Sequence, residues 1–131
     1  MLVVVDTSVW VSYFRNSDRV ITHVLDRLID DDLVAIVPPV RLELILGCNR
    51  TQRPILVKQI NAVHLLRITE QTWTLAENFS MDMRSRGITP GVIDILIAAA
   101  ASECRALVWT LDSDFEPLFK GNYIKAFTPT L

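Results

Sequence analysis

The sequence opens with an unbroken apolar run, residues 2–5, that stops at the polar triplet Asp6-Thr7-Ser8. A β-branched run without polar alternation is typical of a strand buried on both faces. Similar runs recur at residues 33–37 and 106–111, and shorter strand candidates lie at 65–68 and 123–127. Strands of this kind occur in parallel sheets that are covered by helices, so the runs predict such a sheet.

Helical segments separate these runs. Apolar side chains between residues 19 and 30 recur with the 3.6-residue period of an amphipathic helix. Alternating strands and helices imply right-handed β-α-β crossovers. We therefore predict an α/β fold: an open parallel sheet of about four to five strands with helices on both faces. The predicted helices cover residues 9–14, 19–30, 40–46, 54–63, 70–84 and 92–104.

The length of 131 residues fits a single domain over residues 1–131, because domains typically have ~150 residues. Hydrophobic residues make up 50% of the chain, which excludes a disordered protein. The longest strictly apolar run, 95–101, is far shorter than the ~20 residues of a membrane span. The N-terminus has no basic segment of the kind that precedes a secretory signal, so we expect a cytoplasmic protein. Cys48 and Cys104 have no C-x-x-C partner and are expected to be reduced thiols in the core.

A net charge of −2 argues against a protein that binds nucleic acid through a broad basic surface. Net charge does not describe how charges are distributed. A small basic groove beside an acidic metal site remains compatible with it.

Single acidic residues interrupt or end the apolar segments. Asp6 ends the first strand, Glu43 lies within Leu42-Glu43-Leu44-Ile45-Leu46, and Asp94 lies within Val92-Ile93-Asp94-Ile95-Leu96. Asp112 follows the strand at 106–111, and Asp114 lies two residues further on. Acids are rarely buried without a partner, and the carboxyl ends of parallel strands share one edge of the sheet. Two carboxylates ~5 Å apart repel by roughly 3 kcal/mol, so convergence of these acids predicts a divalent ion. Oxygen ligands favour Mg²⁺ or Mn²⁺ over zinc.

Each acid also has an ordinary structural interpretation. Asp6 is a good N-cap, Glu43 can pair with a nearby arginine such as Arg41, and Asp94 can complement a helix dipole. Asp112 and Asp114 are common turn residues. The run Asp30-Asp31-Asp32 lies at the opposite end of a strand and is interpreted as a solvated loop.

Four segments together resemble the PIN domain family, and within it the VapC-type toxins of type II toxin–antitoxin systems. They occur in the family's order and span nearly the whole chain, although each alone would be weak. The segments are Val5-Asp6-Thr7-Ser8-Val9-Trp10 with Tyr13-Phe14, Glu43-Leu44-Ile45-Leu46-Gly47, Asp94-Ile95-Leu96-Ile97-Ala98-Ala99-Ala100, and Thr110-Leu111-Asp112-Ser113-Asp114-Phe115.

The resemblance implies a Mg²⁺- or Mn²⁺-dependent endoribonuclease that leaves a 5′-phosphate and a 3′-hydroxyl. It implies one or two ions held by the catalytic acids Asp6, Glu43, Asp94 and Asp112, with Asp114 as a fifth acid. The small polar residues Thr7, Ser8 and Thr110 would orient these acids.

Partners are also implied by the resemblance: an RNA substrate, a VapB-type antitoxin and a second copy of the chain. Proximity to the motifs suggests that Arg15, Arg41, Arg84 and Arg86 contact RNA phosphates, although each is equally compatible with a solvated surface position. Trp10, Tyr13 and Phe14 either line an antitoxin groove or belong to the core.

Other classes of protein fit less well. A dehalogenase-type phosphatase needs a second Asp two residues after the first, where this chain has Ser8, and a phospho-receiver domain needs an acid pair at the end of the first strand. The alternative function is a catalytically silent PIN-like module that binds RNA or protein. That alternative is weakened because all four acidic positions are filled.

Overall fold

The computed structural model describes residues 1–130, and its central feature is a five-stranded sheet in the order β3-β2-β1-β4-β5. All four strand pairs are parallel. This confirms the predicted α/β class. The strands are β1 (Val3–Val5), β2 (Val34–Ile36), β3 (His64–Leu65), β4 (Leu107–Trp109) and β5 (Lys125–Ala126).

Seven α-helices within residues 1–130 surround this sheet. The predicted helices are all present, with ends shifted by at most a few residues, and one further short helix follows a 3₁₀ turn at Ser113–Phe115. The helices are α1 (Thr7–Arg15), α2 (Arg19–Asp30), α3 (Pro38–Gly47), α4 (Arg53–Asn61), α5 (Glu70–Ser85), α6 (Val92–Glu103) and α7 (Glu116–Lys120).

The order of the strands creates a switch point beside β1. The chain runs outward from β1 through β2 to β3, and then returns to the other side of β1 to form β4 and β5. In register, Val5 of β1 faces Trp109 of β4. Loops leave such neighbouring strands in opposite directions, which opens a crevice at their carboxyl ends.

The hydrogen-bonded strands are shorter than the apolar runs that predicted them. Val37 and Ala106 lie outside the strands but are 0% and 6% exposed. Burial therefore extends past the hydrogen-bonded pairs, because helices continue to cover the chain where it leaves the sheet.

The aromatic side chains of α1 belong mainly to the core. Trp10 is 0% exposed and stacks on Phe14, with ring centroids 5.7 Å apart. The Tyr13 hydroxyl donates to Asp26 of α2 at 2.6 Å and accepts from Gln59 of α4 at 3.0 Å. Trp10 therefore anchors α1 against the sheet, and Tyr13 ties α1 to two neighbouring helices.

The two cysteines are free thiols, as expected, but the prediction that they lie in the core is wrong. Cys104 is exposed and Cys48 is half-buried. The acidic run from Asp30 to Asp32 is exposed, as predicted: Asp30 is the last residue of α2, and Asp31 and Asp32 lie between α2 and β2. Within residues 1–130, no helix combines the length and apolar character that crossing a bilayer requires.

Candidate active site

The central acid of the site, Asp6, lies at the carboxyl end of β1 beside the end of β4. Its backbone N–H donates to the carbonyl of Trp109 at 2.9 Å, which continues the β1–β4 pairing by one residue. The Asp6 side chain is only 7% exposed. A nearly buried carboxylate needs hydrogen-bond donors or a cation to offset its lost hydration.

Two hydroxyl groups supply donors to Asp6. Ser8 Oγ and Thr110 Oγ1 both donate to Asp6 Oδ2, at 3.0 Å and 2.8 Å. Backbone groups hold the same hydroxyls in turn: Leu111 N donates to Ser8 Oγ and Asp112 N donates to Thr110 Oγ1, each at 3.0 Å. The network fixes one oxygen of Asp6 and leaves the other available.

The N-cap interpretation of Asp6 is wrong in its usual form. Asp6 occupies the N-cap position of α1, but its side chain makes no capping hydrogen bond to the helix. Its carboxylate is turned toward Ser8 and Thr110 instead.

Glu43 reaches the same region from α3. Glu43 is exposed, and its Oε1 accepts a hydrogen bond from Thr7 Oγ1 at 3.0 Å. Because Thr7 directly follows Asp6, this bond connects Glu43 to the segment that carries Asp6. The predicted pairing of Glu43 with an arginine is not found among the ion pairs of residues 1–130.

Asp94 lies in the first turn of α6, and its pKa is shifted by its surroundings. Burial, and then the negative charges of Asp6, Asp112, Asp114 and Glu43, raise the pKa of Asp94 to about 6. The other four acids are thus within electrostatic reach of Asp94, although the five come from four separate segments of the chain.

Asp112 and Asp114 also have a local structural role. The Asp112 carboxylate accepts from the backbone N–H of Asp114 at 2.9 Å, which caps the 3₁₀ turn. The turn interpretation is therefore correct for Asp112, and it does not conflict with a place in the acidic cluster. Both residues are exposed.

A cleft of about 450 Å³ opens beside these acids. Asp94 and Asp114 line it together with Ser113, Pro117 and the loop 87–91. Gly91 ends that loop, and a Cβ built there would lie 3.9 Å from Asp94 Oδ2, an ordinary contact.

The chemistry of this donor set fits a hard divalent cation. Every candidate ligand is a carboxylate oxygen, and a divalent charge would offset the negative charges that, in addition to burial, raise the pKa of Asp94. Within the described part of the chain, no three acidic, histidine or cysteine side chains are arranged closely enough to enclose an ion by themselves. An ion here would complete its shell with water or substrate oxygens, which is usual for Mg²⁺.

The four arginines predicted to contact RNA have different positions. Arg15 ends α1 about 12 Å along the helix from Thr7, at 1.5 Å per residue. Arg41 is two residues before Glu43 on α3, and residues two apart do not share a helix face. Arg84 is exposed in the last turn of α5. Only Arg86 lines a cleft that adjoins the acids.

Arg86 is also engaged within the protein. Its Nη1 donates to the carbonyl of Gly121 at 3.1 Å and to the Tyr123 hydroxyl at 3.2 Å. Its Nε lies 3.8 Å from Asp82 Oδ2, and its guanidinium packs over the Tyr123 ring, 5.3 Å from the centroid. Arg86 therefore fastens the end of α5 to the segment between α7 and β5.

Sequence analysis missed Ser113 and Lys120 as residues near the site. Both line the cleft that contains Arg86. Pro117, at the start of α7, is a signal for a helix beginning there, since proline is tolerated in the first helical turn.

A parallel sheet with acids gathered at its switch point is the arrangement expected of the PIN domain resemblance. The sequence matches the PIN domain family over residues 3–118, and the chain belongs to that family. No curated protein matches the sequence significantly.

Solved structures with the same fold include several toxin–antitoxin complexes. One is VapBC2 from Rickettsia felis bound to a DNA fragment from its promoter, with 14% identity and a TM-score of 0.79 over 97% of this chain and 98% of the other. VapBC-1 from nontypeable Haemophilus influenzae has 20% identity and a TM-score of 0.78 over 97% of each chain. VapC20 from Mycobacterium tuberculosis, described as a toxin that cleaves the sarcin-ricin loop, has 18% identity and a TM-score of 0.65 over 88% of this chain and 94% of the other. At these identities the likeness is one of fold.

Proposed function

We propose that this protein is a Mg²⁺- or Mn²⁺-dependent endoribonuclease that acts in the cytoplasm as the VapC-type toxin of a toxin–antitoxin pair. The observation that carries the proposal is the convergence of acids from four segments at the β1–β4 switch point. Burial of the Asp94 carboxyl, together with the charges of the four other acids, raises the pKa of Asp94 to about 6. Such a cluster is unfavourable in the isolated protein because like charges repel. A bound cation would offset this repulsion, and perturbed pKa values of this kind are typical of functional sites.

In this proposal, Asp6, Glu43, Asp94 and Asp112 hold one or two ions, and Asp114 contributes directly or through water. When bound, the ions supply an activated water and offset charge on the phosphoryl and leaving oxygens. Ser8 and Thr110 position Asp6, and Thr7 positions Glu43, through the hydrogen bonds described above. The cleft beside Asp94 and Asp114 admits the substrate.

The nature of the substrate and partner is supported by the printed descriptions of the structural neighbours. One neighbour is a toxin that cleaves the sarcin-ricin loop, an RNA, and others are VapBC complexes. These descriptions support an RNA substrate and a VapB-type antitoxin for this chain.

The first experiment is cleavage of RNA by the purified protein, free of antitoxin, with Mg²⁺, with Mn²⁺ and with EDTA. Asp94→Asn should abolish cleavage while the protein stays folded. Asp31→Asn is the matched control, because it makes the same chemical change at an exposed acid on the opposite end of the sheet.

Metal-dependent cleavage by wild type and Asp31→Asn, lost in Asp94→Asn, would support the proposal. Cleavage that persists in EDTA and in Asp94→Asn would refute the acidic site. No cleavage together with a flat calorimetric metal titration would favour the silent binding module instead.

We also propose that the protein forms a homodimer. Exposed apolar side chains on three neighbouring helices support a contact surface between copies: Leu42 and Leu46 of α3, Trp73 of α5 and Ile93 of α6 are 58%, 75%, 48% and 37% exposed. Large exposed apolar patches mark interaction surfaces. A monomer in size-exclusion chromatography at micromolar concentration would contradict this part of the proposal.

A further inference from the structure

A second cleft continues from the acidic one. It has a volume of about 610 Å³ and shares Ile88, Ser113 and Pro117 with the cleft beside Asp94. The two clefts therefore form one groove that runs between the α5–α6 loop on one side and the 3₁₀ turn with α7 on the other.

The two ends of this groove carry opposite charge. Asp94 and Asp114 line the first cleft, whereas Arg86, Lys120 and a single acid, Glu116, line the second, so the charged side chains of the second cleft sum to a net positive charge. Lys120 is the more accessible cation, with 80% of its side chain exposed, and its partner is Glu116, whose Oε2 lies 3.5 Å from Lys120 Nζ. An exposed pair of this kind is weak, so Lys120 can exchange Glu116 for another anion.

We propose that the second cleft binds the stretch of single-stranded RNA next to the scissile phosphodiester, with Lys120 as its main phosphate contact. The inference rests on the proposed nuclease function. In the proposed nuclease, the scissile phosphate lies at the acidic end of the groove, where cations would compensate its negative charge. The next phosphate of the RNA chain then lies further along the groove. The basic end of the groove is where that phosphate finds a positive side chain.

The other walls of the second cleft suit a nucleotide. Ile88 and Pro117 present apolar surface to a base or ribose, and the hydroxyl of Ser113, at the junction of the two clefts, can hydrogen-bond a phosphate or ribose oxygen. A volume of about 610 Å³ lies within the usual range for sites that bind small ligands.

Arg86 has a different role from Lys120 in this groove. Two hydrogen bonds and its packing over Tyr123 hold it against the segment 121–123. Arg86 supplies a positive charge in a fixed position and supports the cleft wall, whereas the Lys120 side chain is 80% exposed and can reach the RNA. The charge of Lys120 is consequently the better one to test, because among the polar contacts of residues 1–130 its removal disturbs only the exposed pair with Glu116.

The test is the affinity of fluorescently labelled dodecauridylate, measured by anisotropy in Mg²⁺ on an Asp94→Asn background that prevents cleavage. Lys120→Ala should weaken binding about four-fold at 0.15 M salt, since one lost phosphate contact removes about 0.7 from the salt slope for a single strand. Lys120→Arg should keep the affinity. Lys58→Ala, which removes an exposed lysine from α4, is the matched control and should bind as the parent does.

A second variant tests the same contact in the opposite direction. Glu116→Gln removes the competing anion beside Lys120, so it should bind the RNA more tightly than the parent and have a steeper salt dependence. A structural role for the Lys120–Glu116 pair would instead leave affinity unchanged or lower it in both variants.

The outcomes separate this inference from the nuclease proposal. If Lys120→Ala binds like Lys58→Ala, the second cleft is not an RNA subsite, whether or not the wild-type protein cleaves RNA. If wild type neither cleaves RNA nor binds metal, but Lys120→Ala still weakens RNA binding and Glu116→Gln strengthens it, the second cleft is an RNA-binding site and the nuclease function is refuted. If the parent does not bind the oligonucleotide at all, the subsite is overturned, and the cleavage assay with wild type decides the nuclease function separately.

Discussion

The Thr110 hydroxyl donates a hydrogen bond to Asp6 Oδ2 at 2.8 Å, across 104 positions of sequence. The bond joins the carboxyl ends of β4 and β1, the two strands on either side of the switch point. Thr110 Oγ1 also accepts from the backbone N–H of Asp112 at 3.0 Å. One hydroxyl thus sets the orientation of a nearly buried acid and the path of the chain toward another acid.

Replacing Thr110 by valine should therefore impair the site more than the fold. We expect metal affinity or activity to fall ~10- to 100-fold, the usual effect of losing a residue that orients a metal ligand. Stability should fall by about 1–2 kcal/mol, because Asp6 loses a donor and Asp112 N–H loses an acceptor. Calorimetric titration with Mn²⁺ and urea unfolding measure the two effects separately.

Thr110→Ser is the control for this substitution, since it keeps the hydroxyl and removes only a methyl group. It should retain most of the metal affinity. Equal loss of affinity in the serine and valine variants would mean that shape at position 110 matters rather than the hydrogen bond to Asp6.

The raised pKa of Asp94 makes a second prediction, on the pH dependence of stability in EDTA. The pKa rises from 3.8 to about 6 on folding, so between these values the native state binds more protons than the unfolded state. Stability contributed by Asp94 is therefore present below pH 4 and is lost as the pH rises through 6. The loss is at most about 3 kcal/mol, reduced by solvent screening of this partly exposed side chain.

Asp94→Asn isolates this contribution. The variant should be more stable than wild type in EDTA at pH 7, and the difference should shrink as the pH is lowered toward 4. Urea unfolding of both proteins at pH 4, 5, 6 and 7 gives the comparison. A difference that stays constant with pH would show that Asp94 does not titrate in this range.

A third prediction concerns the effect of metal ions on thermal unfolding. Because an ion that binds the folded protein and not the unfolded chain favours the folded state by mass action, a divalent ion at 100 times its Kd should stabilise the protein by about 2.7 kcal/mol. For a chain of 131 residues this is a rise in Tm of roughly 10 °C. Asp94→Asn should lose most of the shift and Asp31→Asn should keep it. An equal shift in all three proteins would place the ion elsewhere.

The sequence predicted the sheet and the acidic cluster because both follow from local contrasts. Asp6 and Asp112 stand out at the ends of apolar strands, and Glu43 and Asp94 stand out within apolar segments. Parallel topology then brings strand ends to one edge of the sheet without knowledge of any individual contact. The family resemblance implies only that Thr7, Ser8 and Thr110 orient the acids, and the structure shows which hydroxyl contacts which acid.

The second cleft was not predictable in the same way. The helix that carries Lys120 has five residues, too few for a hydrophobic period to be visible. Sequence analysis interprets Arg86 either as a phosphate contact or as a solvated surface residue, and neither interpretation predicts its hydrogen-bond partners Gly121 and Tyr123, which lie 35 and 37 positions away. Contacts of that kind depend on how the chain end folds back on α5, which no local pattern encodes.

The last prediction tests that chain end through its glycine. A Cβ built on Gly121 would lie 2.7 Å from Tyr123 Cε2, 2.9 Å from Arg86 Nη1 and 3.0 Å from the carbonyl oxygen of Pro117. The first two distances are too short for real contacts, and Arg86 is bonded to the carbonyl of Gly121 itself. Gly121→Ala should therefore push Arg86 and Tyr123 out of place and destabilise the protein by about 1–3 kcal/mol.

Gly47→Ala is the matched control, because nothing lies within 4 Å of its added Cβ at the end of α3, where alanine improves helix propensity by up to about 1 kcal/mol. Thermal unfolding of the two variants should shift in opposite directions. A neutral Gly121→Ala would mean that the 121–123 segment moves aside readily and does not hold Arg86 in the groove.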